Sequence, residues 1–125
     1  MSDVIEMISP LPGFEHCRRY VLMAAPEIAP FAQMQGLEGS KPSFLMLPPQ
    51  AVVAKYDQTL GDADRERLDV VGQEPLLWLA IIRLDGDRAY ANLRAPVVIN
   101  PRRMLGLQII SEDERLSIDH PILQD

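Results

Sequence analysis

Residues Leu76 to Ile110 read LLWLAIIRLDGDRAYANLRAPVVINPRRMLGLQII, and the fold turns on how that stretch is read. Leu76 to Leu84 is apolar except for Arg83, with Pro75 before it and Asp85-Gly86 after it. An apolar run of that length between turn signals suits a strand covered on both faces; a buried helix has the same local pattern. Asp-Gly between two apolar runs signals a hairpin, because glycine takes positive φ without steric cost. On the return limb Ala91, Leu93 and Ala95 face one way, and Tyr90, Asn92 and Arg94 the other. Pro96 has no N–H to give to a ladder, so it marks an edge or a bulge. Val97 to Ile99 resumes the strand and Asn100-Pro101 turns it. Leu105, Leu107 and Ile109 then alternate with Gly106, Gln108 and Ile110. The pattern predicts a three-stranded antiparallel meander with one continuous apolar face.

Working upstream, Leu60 to Gly72 is the one credible helix. Asp62 suits its N-cap, since a side-chain oxygen there accepts an orphan backbone N–H. Asp64 and Glu66 sit early, where the helix dipole favours acids. Leu68 and Val71 share a face, and Gly72 supplies the stop. Further back, Val4 to Ile8, Arg18 to Ala24 and Ser43 to Leu47 read as strands, and Phe31 to Met34 is apolar at alternate places. Ser9-Pro10-Leu11-Pro12-Gly13, Pro26, Pro30 and Pro48-Pro49 punctuate them. Ala51 to Tyr56 fits another strand or one helical turn. Downstream, Ser111 to Asp125 opens on an acidic run, Glu112, Asp113 and Glu114. The expectation is one mainly β domain over residues 1–125, a small antiparallel barrel or roll with one short helix.

The chain of 125 residues carries a net charge of −6, which disfavours direct contact with phosphate backbones and favours a basic partner. Its one cysteine, Cys17, forms no internal disulfide and fits a reducing compartment. The N-terminus has neither the basic region nor the apolar core of a signal peptide, and no segment approaches the roughly 20 apolar residues of a membrane span. A cytoplasmic location is expected.

Chemistry is sparse. His16 and Cys17 are neighbours and His120 lies far off, which is not metal-ligand spacing. Cys17 reads as a small apolar filler rather than a nucleophile. The carboxylates fall in charged clusters, whereas catalytic acids sit singly in apolar clefts. No cofactor, metal or catalytic residue is assigned. Arg102-Arg103 reads as a solvated hairpin tip. The odd features are Asn92 and Asn100, poor strand formers within apolar neighbours. Each can satisfy a bulge with its amide, stand on an exposed face to bind a partner, or do both.

Asn92-Leu93-Arg94-Ala95-Pro96-Val97-Val98-Ile99-Asn100 resembles the NLxAPxVIN signature of the bacterial flagellar assembly factor FliW family. Leu11-Pro12-Gly13-Phe14-Glu15 is similar to that family's LPGFE, and Phe31 with the glutamines after it to its aromatic-plus-glutamine segment. Pro49 to Tyr56 is similar to its P-x-x-F-F-P-D-Y stretch, although Val52, Val53 and Lys55 replace the two aromatics and the acid. Gly106, Gln108 and His120-Pro121 match C-terminal landmarks.

The resemblance implies a small β barrel without enzymatic activity, acting as a chaperone of newly made flagellin. It also implies binding to CsrA, a small RNA-binding translational regulator, away from the RNA site, so that repression of flagellin synthesis is relieved. Free flagellin then captures the protein and releases CsrA. The expected contact surface is the exposed side of the meander with its turn, Asn92, Pro96, Val98, Asn100 and Arg102, with Leu11, Phe14 and Gln108 as second choices. Asp62, Asp64, Glu66, Glu112, Asp113 and Glu114 are expected to supply the charge that repels RNA phosphates. A monomer is expected when free. Two other readings stand beside this one: a small hydrolase using a carboxylate or Cys17, with a deep polar pocket, and a β module that self-associates through the edge near Pro96.

Overall fold

The computed structural model describes residues 3–122. Its elements in order are β1 (Val4–Met7), β2 (Arg19–Ala24), β3 (Ala32–Gly36), β4 (Ser43–Leu47), α1 (Asp62–Arg67), β5 (Leu77–Asp85), β6 (Arg88–Ala91), β7 (Val97–Asn100), β8 (Leu105–Gln108) and β9 (His120–Pro121). β1 to β4 pair in sequence order; β4 continues to β5, β5 to β7, β7 to β8, and β8 returns to β1. Seven strands thus close into a barrel, while β6 and β9 extend the sheet from the far half of β5. The mainly β architecture with a single short helix is the one expected from the sequence. The barrel closes, however, through a parallel seam, with Glu6 opposite Leu105 and Met7 opposite Gly106.

The meander is present in altered form. The hairpin turns at Gly86, which sits at φ 63°. The return limb is split: β6 pairs Ala91 with Ile82, whereas β7 pairs Val97 with Leu79. The register slips by three residues between them, so Pro96 lies in a bulge rather than at an open edge.

Alternation along the strands sorts the apolar side chains into two layers. Ile5, Met7, Tyr20, Met34, Met46, Leu79, Val97 and Ile99 fill the lumen, where three methionines adapt to the tapering space. Trp78, Ala80, Ile82, Val98 and Leu107 point outward, where Tyr56, Leu60, Leu68 and Leu116 cover them. Apolar residues therefore occur at successive positions of β5 and β7, and all four residues of β7 are buried. The continuous run from Leu76 to Leu84 reads as a doubly covered strand for this reason. The outward layer exists because residues 48–76 wrap the barrel instead of adding a strand. In that connection Pro49–Ala51 forms a 3₁₀ turn and turns follow to Lys55, so Ala51 to Tyr56 forms neither the strand nor a helical turn of its own.

Helix α1 is shorter than the sequence suggested. Its N-cap is Gly61, without a side-chain cap, so Asp62 is the first helical residue and not the cap. Asp69 takes φ 54°, ending the helix before Gly72. That break separates the expected pair: Leu68 is fully buried, while Val71 is 64% exposed.

Candidate functional site

Asn92 accepts, at Oδ1, the backbone N–H groups of Arg94 (3.2 Å) and Ala95 (3.1 Å), and so builds the bulge. The bulge is then tied down by three backbone hydrogen bonds to the tail. Leu93 N–H donates to Ser117 O (2.9 Å), Ile109 N–H to Pro96 O (3.0 Å), and Ser111 N–H to Arg94 O (2.8 Å). Tyr56 Oη donates to Leu93 O at 2.5 Å, and Gln108 Nε2 to Ala95 O at 3.0 Å. The tail beyond Gln108 and the loop before α1 are thus both anchored on the bulge, and the edge envisaged near Pro96 is occupied.

Asn100 ends β7 facing outward and is fully buried. Its Nδ2 donates to Leu68 O (2.8 Å) and reaches Asp69 O (3.3 Å) and Glu74 Oε1 (3.2 Å); its Oδ1 accepts Arg102 N–H (3.1 Å). Arg102 in turn donates from Nε to Glu74 Oε2 (2.7 Å) and from Nη2 to Asp69 O (2.6 Å). Three of the five expected contact residues therefore lack the exposure expected of them: Val98 and Asn100 are at 0%. Pro96 is buried too. Their outward face is roofed by Leu68 and its neighbours, a roof no local pattern announces. Arg102 is exposed, yet it clamps the turn after α1 to the turn after β7 and is more than a solvated tip. Leu11 is buried, and Phe14 is half-buried edge-on to Phe44, with ring centroids 5.1 Å apart.

Glu74 has its carboxyl held down to about 2 from an ordinary 4.5. The hydrogen bond from Arg102 is the main cause, followed by the Val71 N–H. A depressed carboxylate stabilises the fold fully above its unfolded pKa and loses that contribution as the pH falls from about 4.5 toward 2. Glu74→Gln is therefore expected to flatten the fall of Tm in that window, read by circular dichroism melts at stepped pH. Parallel melting curves for the two proteins would contradict the clamp.

Beside the bulge lies a cleft of about 510 Å³. Trp78, Pro96 and Ile109 form its floor, and Ile110 and Leu116 its apolar side. Trp78 is only 6% exposed and packs edge-on to Tyr56, centroids 6.5 Å apart. Four carboxylates line the cleft, Asp57 and Asp64 from the segment leading into and including α1 and Glu112 and Asp113 from the tail, and none of the described residues lining it is basic. Asp57 accepts Thr59 N–H (2.9 Å) and Oγ1–H (2.6 Å), which shapes its loop. Asp64 faces Arg67 at 3.8 Å. Asp113 binds Arg115 through two side-chain bonds of 2.9 and 3.0 Å; these hold its carboxyl below the usual range. Three of the six acids marked in the sequence, Asp64, Glu112 and Asp113, thus share one cleft, while Asp62, Glu66 and Glu114 stand exposed beside them on the same elements. Sequence reading missed Asp57 and the apolar floor. The available signals were a tryptophan facing outward in β5 and the bare Ile109-Ile110 before the acidic run.

A second concavity of about 400 Å³, between Leu22, Ala25, Pro30, Phe31 and Leu77, is lined by no charged side chain among the described residues. Cys17 is buried in the lumen, its Sγ donating to Arg19 O at 3.4 Å, the filler role read from the sequence. Among the described residues no group of three or more His, Cys, Asp or Glu is placed to hold a metal ion. No helix among them is long and apolar enough to cross a membrane.

The family model described as "FliW protein" matches residues 1–122. The chain belongs to the FliW family. Curated FliW relatives include the flagellar assembly factors of Clostridium botulinum, 32% identical over 99% of this chain and 89% of that protein, and of Thermotoga maritima, 30% identical over 92% and 79%. A crystal structure of the flagellar assembly factor FliW superimposes with a TM-score of 0.87, at 26% identity, covering 98% of this chain and 86% of that one. FliW membership supports a role in flagellar assembly. The FliW signature from Asn92 to Asn100 is, in this member, the bulge and strand that anchor loop, tail and helix. Of the departures from the family's central stretch, Val52 and Val53 pack half-buried against the outward layer and Lys55 is exposed.

Proposed function

We propose that this FliW-family protein is a non-enzymatic cytoplasmic factor that binds flagellin and, separately, CsrA, and that it relieves CsrA's repression of flagellin synthesis. The reading is carried by one observation: acids some fifty residues apart in sequence gather around a single apolar-floored cleft. A translational repressor presents positive charge to RNA. An acidic face docked beside its RNA groove lowers the local potential and drives phosphates away. Screening limits that repulsion to about 8 Å at physiological salt, so docking has to place the charge next to the groove. Of the expected contact residues, Arg102, Asn92, Phe14 and Gln108 keep exposed surface for a partner, while Leu11, Pro96, Val98 and Asn100 hold that surface in place.

Titration calorimetry against the host's CsrA and flagellin tests the two partnerships, and the free protein is expected to sediment as a monomer. The electrostatic step has its own test. Asp62→Asn, Glu66→Gln and Glu114→Gln combined remove exposed charge without touching the cleft lining. CsrA binding is expected to persist while displacement of RNA drops about tenfold or more. Undiminished RNA release by that triple variant would show that the flanking acids take no part, and undiminished release when Asp64, Glu112 and Asp113 are neutralised as well would refute repulsion as the mechanism.

A further inference from the structure

The cleft holds more than charge. Its floor is indole, proline and isoleucine, and Ile110 on its rim is 78% exposed, an unusual amount of bare aliphatic surface directly beside carboxylates. A purely repulsive face has no need of an apolar recess, and a purely apolar pocket has no need of acids from two remote segments. Both features together match one kind of occupant. We propose that the cleft takes a basic peptide segment, seating one aliphatic or aromatic side chain over Trp78, Pro96 and Ile109 while flanking Lys or Arg side chains reach Asp57 and Asp64 near α1 and Glu112 on the tail.

Charge complementarity selects this occupant over a second copy of the chain, which carries the same net charge of −6. Asp113 is already satisfied by Arg115, which leaves Glu112 as the carboxylate on the tail available to an incoming cation. The floor supplies the buried anchor of a docking site, and the rim acids supply orientation and encounter rate. The cleft deepens the functional reading above and rests on it only for which cellular protein carries the segment.

The protein contains a single tryptophan, and it lies in the cleft floor, so Trp78 emission reports occupancy directly. The probes are acetyl-Arg-Lys-Leu-Lys-Arg-amide, the same peptide with glycine for leucine, and acetyl-Glu-Glu-Leu-Glu-Glu-amide. The leucine-containing basic peptide is expected to change Trp78 emission saturably in the millimolar range, and the glycine and glutamate peptides to leave it flat. Added salt and Glu112→Lys are each expected to weaken the response about tenfold, because the charge contacts are solvent-exposed and screened. Ile110→Ala, at a position too exposed to matter for folding, is expected to weaken it several-fold. A flat titration with every peptide, or an equal response to the glutamate peptide or in Glu112→Lys, overturns the proposal. Calorimetry of the same variants with CsrA separates the two levels. CsrA binding that ignores Glu112→Lys and Ile110→Ala sinks the cleft while leaving the partnership intact. Wild-type protein that responds to the peptide yet ignores CsrA sinks the partnership while leaving the cleft.

Discussion

Asn100→Ala is expected to lower stability by about 2–4 kcal/mol, the range for stranding buried polar groups, and Tm by roughly 10 °C for a chain of this size. The side chain is fully buried and serves two backbone segments at once. Removing it leaves Leu68 O without its 2.8 Å donor in a buried place, and Arg102 N–H without its 3.1 Å acceptor in a part-buried one. It also loosens the seat of Leu68, the fully buried side chain that roofs Val98. Asn92→Ala, at a half-exposed site whose freed N–H groups can turn to water, is expected to cost about 1 kcal/mol. Thermal melts of both variants check the ordering. A Tm for Asn100→Ala within about 2 °C of wild type would show that the roof stands without it. The result also governs how binding assays are read: a partner lost by Asn100→Ala reports the position of the loop and helix as much as any contact at Asn100 itself.

Gly36→Ala is the second large effect, expected at about 1–3 kcal/mol from overpacking. A Cβ at Gly36 would stand 2.7 Å from Pro42 Cδ, 2.8 Å from Cys17 Sγ and 3.0 Å from Pro42 O. None of the three yields readily. The proline is a ring, its carbonyl accepts the Gly36 N–H at 2.7 Å, and the cysteine is enclosed in the lumen. A double-mutant cycle separates them: Cys17→Ala removes one obstacle and is expected to recover less than half of the loss, because Pro42 remains. Full recovery would place the conflict at the sulfur alone. Equal stability of Gly36→Ala and wild type would mean that the β3 terminus shifts freely.

Much of this fold is legible from local pattern. Proline and glycine mark the ends of β2, β4 and β5, and the uninterrupted run in β5 announces cover on both faces. The local pattern is silent on what forms that cover. Val98 and Asn100 alternate as an outward face should, and only the wrap of residues 48–76 turns that face inward. Nor does any periodicity indicate that β1 lies parallel to β8, since pairing between remote segments is settled by closure of the whole barrel. The same holds for the cleft. Asp57, Asp64 and Glu112 are ordinary surface acids in sequence, and the anchoring of loop and tail on one bulge makes them neighbours. The six acids read as electrostatic candidates were identifiable by composition; their division into lining and flanking groups was not.

The seam between β1 and β8 also constrains how the chain is made. Glu6 emerges from the ribosome long before Leu105, its partner across the ladder. Until then Met7, Met34 and Met46, which line the lumen of the finished barrel, have no β8 to close them off. A nascent chain stalled before β8 has no closed lumen, so maturation of the barrel is a late, nearly all-or-nothing event governed by its most distant contact.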